Sequence, residues 1–221
     1  MHESLKKIKI IKDKINEITV KKQLKTIPKI IAVTKKFTEK SIAPLLESGH
    51  EHFGENKVQE AEEKWVSLKK KYKNINLHML GKLQSNKAKK AVQLFNYIHS
   101  LDSLKLANKI STYQKELNKK NKIFIQVNLG EESQKAGILI KELSDFHYYC
   151  KNELSLNIIG LMCLPPEKLN SEDYFKILKE LSDNLRLNEL SMGMSSDYDK
   201  AVLNGATYLR LGTAIFGPRS N

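Results

Sequence analysis

The chain has 221 residues, 40% of them hydrophobic, enough for one large domain or two small ones. No apolar run approaches the ~18 residues of a membrane span. Residues 1–18 are charged throughout and lack the apolar centre and cleavage site of a secretory signal. The net charge of +13 raises the question of nucleic acid. Yet only Arg186, Arg210 and Arg219 are arginines, and the lysines are scattered over every helix-like stretch. Bidentate and stacking contacts to bases and phosphates draw on arginine, so a lysine-rich solvated surface is the better reading. Cys150 and Cys163 have no metal-ligand spacing, which points to a reduced, cytoplasmic protein without a structural metal.

In chain order, Leu5, Ile8, Ile11, Ile15 and Ile18 fall at spacings of three and four and predict an amphipathic N-terminal helix. Short strands are predicted over Lys29–Lys35, His50–Asn56, Asn76–Gly81 and Tyr97–Asp102. Four more follow at Lys122–Leu129, Asn157–Leu164, Glu189–Met194 and Tyr208–Gly212. Helix-like stretches lie between them. In Lys57–Lys71 the residues Val58, Ala61, Trp65 and Leu68 share one face. Leu104–Leu117 has Asp102 and Ser103 as N-cap candidates. Ser171–Leu185 repeats Tyr174, Leu178 and Leu181 at helical spacing. Pro44 belongs in the first turn of the helix after strand one, or marks a kink in it.

Eight strands alternating with helices imply a parallel sheet, and no linker divides the chain. The expectation is an α/β fold: a single (β/α)8 TIM barrel over residues 1–221 with an extra N-terminal helix. An open doubly wound sheet is the runner-up, and no G-x-G-x-x-G turn follows strand one to favour it.

In such a barrel, chemistry sits at the C-terminal tips of the strands. The apolar run of strand one delivers Lys35 to its tip, and lysine is rarely buried without a partner or a task. Strand two ends at Asn56, strand seven runs into Met194-Ser195-Ser196-Asp197, and strand eight gives Arg210-Leu211-Gly212-Thr213. The loops after strands seven and eight of these barrels often hold a phosphate. Ser195, Ser196, Gly212 and Thr213 fit that use, while Ser195 or Ser196 equally fits a plain N-cap for a short helix over Asp197–Leu203. A phosphate site across the mouth from a tip lysine suits pyridoxal 5′-phosphate, whose aldehyde condenses with an amine. Arg210 then lies near the pyridine ring and, being donor-only, leaves its nitrogen unprotonated. His78 reads as a hydrogen-bonded structural residue rather than a base, Cys163 as core, Lys135 as solvated surface ahead of a secondary ligand contact, and the tyrosines mostly as helix packing. Gln84–Lys87 reads as a ligand contact or as a helix cap.

The stretches IIAVTKKF (30–37), HFGENKVQEAEEKW (52–65), LHMLGKLQSNKAKK (77–90) and IQVNLGEESQKAGI (125–138) occur in this order. IIGLMCLPPE (158–167), LSMGMSSDYDKAVLNGAT (190–207) and YLRLGTAIFGPR (208–219) complete the series. Together they resemble the pyridoxal phosphate homeostasis protein family, related to the N-terminal barrel of alanine racemase. The resemblance implies that Lys35, not its neighbour Lys36, forms the internal aldimine. It implies Arg210 at the pyridine nitrogen, Ser195, Gly212 and Thr213 at the phosphate with Ser196 and Met194 adjacent, and Asn56 at the ring or its hydroxyl. The family often continues its lysine motif as S-K-T-K-P; here T-K-K-F-T lacks the proline.

Three functions compete: a carrier and regulator of the cofactor, a racemase-like enzyme, and a basic nucleic-acid-binding module. The chain ends soon after strand eight, without room for the second domain that supplies a racemase its tyrosine, and no acid/base partner for Lys35 stands out. The expectation is therefore a cytoplasmic, monomeric, non-catalytic binder of pyridoxal phosphate and related vitamin B6 forms. Apo-enzymes that use the cofactor are its expected recipients.

Overall fold

A computed structural model describes residues 1–132, 135–166 and 169–218. Of the residues quoted above, Ser133, Gln134, Glu167 and Arg219 lie outside these. The eight predicted strands form one closed parallel barrel in sequence order. They are β1 (Lys29–Val33), β2 (His52–Glu55), β3 (Asn76–Met79), β4 (Tyr97–Leu101), β5 (Lys122–Val127), β6 (Ile158–Cys163), β7 (Glu189–Ser191) and β8 (Tyr208–Leu211). Closure comes from β1 pairing with β8, Ile31 opposite Arg210.

Successive side chains along a strand point to opposite faces, so the strands build two cores. Ile30 and Ala32 of β1, Phe53 of β2, Leu77 and Met79 of β3, and Leu209 and Leu211 of β8 pack outward under the helices. Ile31, Val33, Tyr97, Phe124, Met162 and Tyr208 form a separate core inside the barrel. Tyr97 and Tyr208 sit on strands, as the predicted strand bounds place them, and close the lower barrel with their hydroxyls 3.5 Å apart.

The helices preceding and between the strands are α1 (Glu3–Lys21), α2 (Glu39–Glu47), α3 (Val58–Lys71), α4 (Ala88–Leu94), α5 (Leu104–Glu116), α6 (Leu143–Tyr148), α7 (Ser171–Asn184) and α8 (Tyr198–Leu203). A four-residue turn, α9 (Thr213–Phe216), follows β8. In α1, Ile8, Ile11 and Ile15 are buried, as their spacing predicts. All four apolar residues named on α3 are buried. In α7 the buried apolar positions are Phe175 and Leu178, with Tyr174 and Leu181 half-buried against them. Ser103 caps α5 through the Leu106 amide. Pro44 is the sixth residue of α2, not in its first turn, so the helix interior tolerates its missing N–H.

Candidate functional site

A cavity of about 1240 Å³ opens at the C-terminal ends of the strands. Lys35, Asn56, Met194, Ser195, Ser196, Arg210, Gly212 and Thr213 all line it. They come from the tips of β1, β2, β7 and β8, which barrel closure makes neighbours.

β1 ends at Val33, two residues before the predicted tip, and Lys35 stands in the turn that follows. Lys36 takes φ 65°, a left-handed conformation that ends the extended run, and Phe37 N–H closes back on Thr34 O at 3.1 Å. This closure occupies the stretch where the family motif carries proline. The Lys36 amide bonds to Glu60 Oε1, while its side chain is exposed.

The base of that turn rests on Glu55, which is fully buried. Its Oε1 accepts from the Thr34 hydroxyl at 2.7 Å, Lys64 Nζ at 2.9 Å and Trp65 Nε1 at 2.9 Å. Lys64 Nζ also donates to Thr34 O at 2.7 Å. Removing this carboxylate leaves the Thr34 hydroxyl and Trp65 N–H without their acceptor and Lys64 with only Thr34 O and the longer contact to Glu60 Oε1 at 3.4 Å. Glu55→Ala is expected to cost about 3–5 kcal/mol of stability. Urea unfolding measures this, and a loss below ~1 kcal/mol would remove Glu55 from the frame that holds Lys35.

On the β7–β8 side of the mouth, Ser195 does not cap α8. Asp197 occupies that N-cap position, and its carboxylate accepts from the Met194 amide at 2.7 Å. Ser195 Oγ instead accepts from the Gly212 amide at 3.3 Å and the Ala214 amide at 3.1 Å. The β7 loop and the start of α9 are thereby tied together at one oxygen. Gly193 makes the turn into this loop at φ +87°, where a Cβ would stand 2.5 Å from that of Ala201. At Gly212 a Cβ would meet only ordinary contacts, 3.6 Å from Val33, so the backbone there is open. Around the mouth, Gly81 lies so close to Asn56 that a Cβ would sit 2.3 Å from its carbonyl oxygen.

Arg210 is buried and aims its guanidinium across the barrel. Nη2 donates to Cys163 O at 2.8 Å and Nη1 to Ser191 Oγ at 2.8 Å. Among the described residues it has no salt bridge. Burial lowers its pKa, partly offset by Asp197, but a guanidinium remains charged. His78 is fully buried and hydrogen-bonded, as expected. Cys163 is core, its thiol pushed up to about 12 by burial.

The cavity has further lining residues beyond the predicted site. Lys82, Gln126 and Asn128 line it, as does Tyr174 from α7. Lys135, expected on solvated surface, also lines it and pairs with Glu132 at 2.8 Å. Gln84–Lys87 is not among the lining residues; Ser85–Lys87 forms a 3-10 turn ahead of α4. Period-two alternation from the known tip residues identifies Gln126 and Asn128 as candidates, but loop residues such as Lys82 and Lys135 have no such periodicity.

Residues 12–220 match the family model described as alanine racemase, N-terminal domain. A pyridoxal phosphate homeostasis protein of Synechocystis sp. is 40% identical over 200 residues, covering 86% of this chain and 91% of the relative. The chain belongs to the pyridoxal phosphate homeostasis protein family. Its relative of that name in Aquifex aeolicus is 36% identical, over 86% of this chain and 87% of the other. The solved structure of PipY from Synechococcus elongatus with pyridoxal phosphate bound is 37% identical, with a TM-score of 0.81 over 94% of this chain and all of that one. An alanine racemase of Clostridium difficile, 16% identical with a TM-score of 0.69, shares the fold alone.

Proposed function

We propose that this protein binds pyridoxal 5′-phosphate in the upper cavity and serves to hold and deliver it, without catalysing a reaction of its own. What carries the reading is the convergence of a lysine, a buried arginine and a hydroxyl-rich loop pair on one cavity, in a family with a cofactor-bound member. The residues fit the group chemically: an amine for an aldehyde, hydroxyls and amides for a phosphate, and a donor-only guanidinium for a ring nitrogen. When bound, the cofactor supplies the aldehyde carbon to which Lys35 Nζ bonds as water leaves.

Ser195, Ser196, Gly212 and Thr213 hold the phosphate, with Met194 beside them. Asn56 contacts the ring or its hydroxyl. Arg210 faces the ring nitrogen and leaves it unprotonated, which makes the bound ring a weak electron sink. That favours storage over carbanion chemistry. Related B6 vitamers bind more weakly where they lack the aldehyde or the phosphate. Apo-enzymes that need the cofactor are the proposed recipients, and the chain acts as a monomeric, single barrel unit.

The test is direct. Apo-protein mixed with pyridoxal phosphate and then reduced with borohydride should gain one cofactor mass per chain, and the loaded protein should not racemise L-alanine. No mass gain at saturating cofactor would end the binding reading, and steady racemisation would replace carrier with enzyme.

A further inference from the structure

Behind Arg210, three imidazoles from adjacent strands run down the barrel interior. His99 Nδ1 lies 2.8 Å from Ser191 Oγ, which accepts from Arg210 Nη1. His99 Nε2 lies 2.8 Å from His78 Nδ1, and His78 Nε2 lies 2.9 Å from His52 Nδ1. His52 begins β2 and lines a second cavity, about 350 Å³, at the N-terminal face between the barrel and α1. The column therefore spans the barrel from the floor to the proposed cofactor site.

We propose that His52, His78, His99 and Ser191 form one directional hydrogen-bonded column that positions the Arg210 guanidinium from the opposite face of the barrel.

The direction follows from donor counting. Arg210 can only donate, so Ser191 Oγ must accept from it. The Ser191 O–H then needs an acceptor, and His99 Nδ1 is its sole remaining partner among the described residues. With Nδ1 accepting, a neutral His99 carries its proton on Nε2 and donates to His78 Nδ1. The same step repeats: His78 donates from Nε2 to His52 Nδ1, and His52 is left with Nε2–H. The reverse order would leave the Ser191 hydroxyl proton buried without an acceptor, a cost of about 1–3 kcal/mol. At the half-exposed His52 end, solvent can satisfy either order. The buried end therefore decides. Burial holds His78 and His99 well below their ordinary pKa, consistent with neutral rings.

Stacking keeps the column in register. His78 lies 4.2 Å from the Tyr97 ring at 17°, and His99 lies 4.2 Å from Phe124 at 19°. Period-two alternation turns His52, His78, His99, Ser191 and Arg210 all inward. Ser191 is thus a positioning residue: with Cys163 O it fixes the guanidinium and leaves the remaining donors for a ring acceptor. This last consequence rests on the cofactor reading above; the tautomer order does not.

Two measurements separate them. In the apo-protein, nitrogen-15 NMR of the imidazoles should show Nε2–H tautomers at His52, His78 and His99. An Nδ1–H form at His99 would overturn the column whatever the ligand is. In the cofactor-loaded protein, His99→Phe keeps the stack on Phe124 but leaves Ser191 without its acceptor. Its visible absorption band should shift and its affinity for pyridoxal phosphate should fall about ten-fold. His99→Gln, with an acceptor and a donor at its tip, should largely restore both. Ser191→Ala, which also breaks the column, covers the case in which His99→Phe does not fold. If Ser191→Ala, or a folded His99→Phe, keeps the wild-type band and affinity, the column does not position Arg210.

Discussion

Lys35→Ala protein, loaded with pyridoxal phosphate and treated with borohydride, should gain no covalent mass, while Lys36→Ala should gain it as the wild type does. The two lysines are adjacent in sequence but differently placed. Lys35 is half-buried and lines the upper cavity. Lys36 is exposed, its backbone turned into the left-handed region and its amide held by Glu60. Its side chain is not among those that line the cavity. The informative competitors are Lys82 and Lys135, which do line it. An amine reacts only where it can approach the aldehyde as a near-attack pair. Peptide mapping of the reduced adduct should place the added mass on Lys35. A full-yield adduct in Lys35→Ala would move the covalent site to one of the other two lysines.

Acid should destabilise this barrel well before its carboxylates are protonated. Burial lowers His50 and His52 to about 4, with lysines nearby adding to the effect: Lys12 for His50, Lys29 and Lys122 for His52. His78 and His99 are lowered further by burial. Unfolded histidine titrates near 6.5. Between these values the unfolded chain binds protons that the fold refuses. Stability is therefore fully present above about pH 6.5 and falls as pH drops towards 4. His50 alone should cost about 2 kcal/mol between pH 7 and 5. His52, more exposed, adds less, and His78 and His99 act in the same direction. Urea midpoints at pH 7 and pH 5 measure the sum. Equal midpoints would mean that the buried imidazoles are charged in the fold, and a quadruple substitution of His50, His52, His78 and His99 that kept the full pH slope would place its origin elsewhere.

The eight strands were legible because each is a short apolar run between polar breaks, spaced for helices that return the chain to the same side of the sheet. Lys35, Asn56, Ser195, Arg210 and Thr213 could be picked out because a parallel barrel sends all strand tips to one face. Strand ends were less legible. β1 and β7 stop short of the predicted tips, and the chain leaves the extended region at Lys36 and Gly193. The cap alternative for Ser195 also fails. Two hydroxyls before a helix look like its cap, but the Gly212 and Ala214 amides, seventeen and nineteen residues onward, take the oxygen.

Glu55 shows the same limit. A glutamate at a strand end reads as surface until Thr34, Lys64 and Trp65 close over it.

The sequence by itself determined the strand and helix order, the closed parallel barrel, the family and the residues gathered at the mouth. These follow from local periodicity and from motifs in fixed order. Only the tertiary structure decided what the Ser195 hydroxyl bonds to, which lysines share the cavity, and that histidines on β2, β3 and β4 meet Ser191 and Arg210 inside the barrel. Those facts depend on the register between strands distant in sequence. A hydrogen bond of under three ångströms requires both partners at one height and on one face, and no periodicity within a single strand encodes the height of its neighbours.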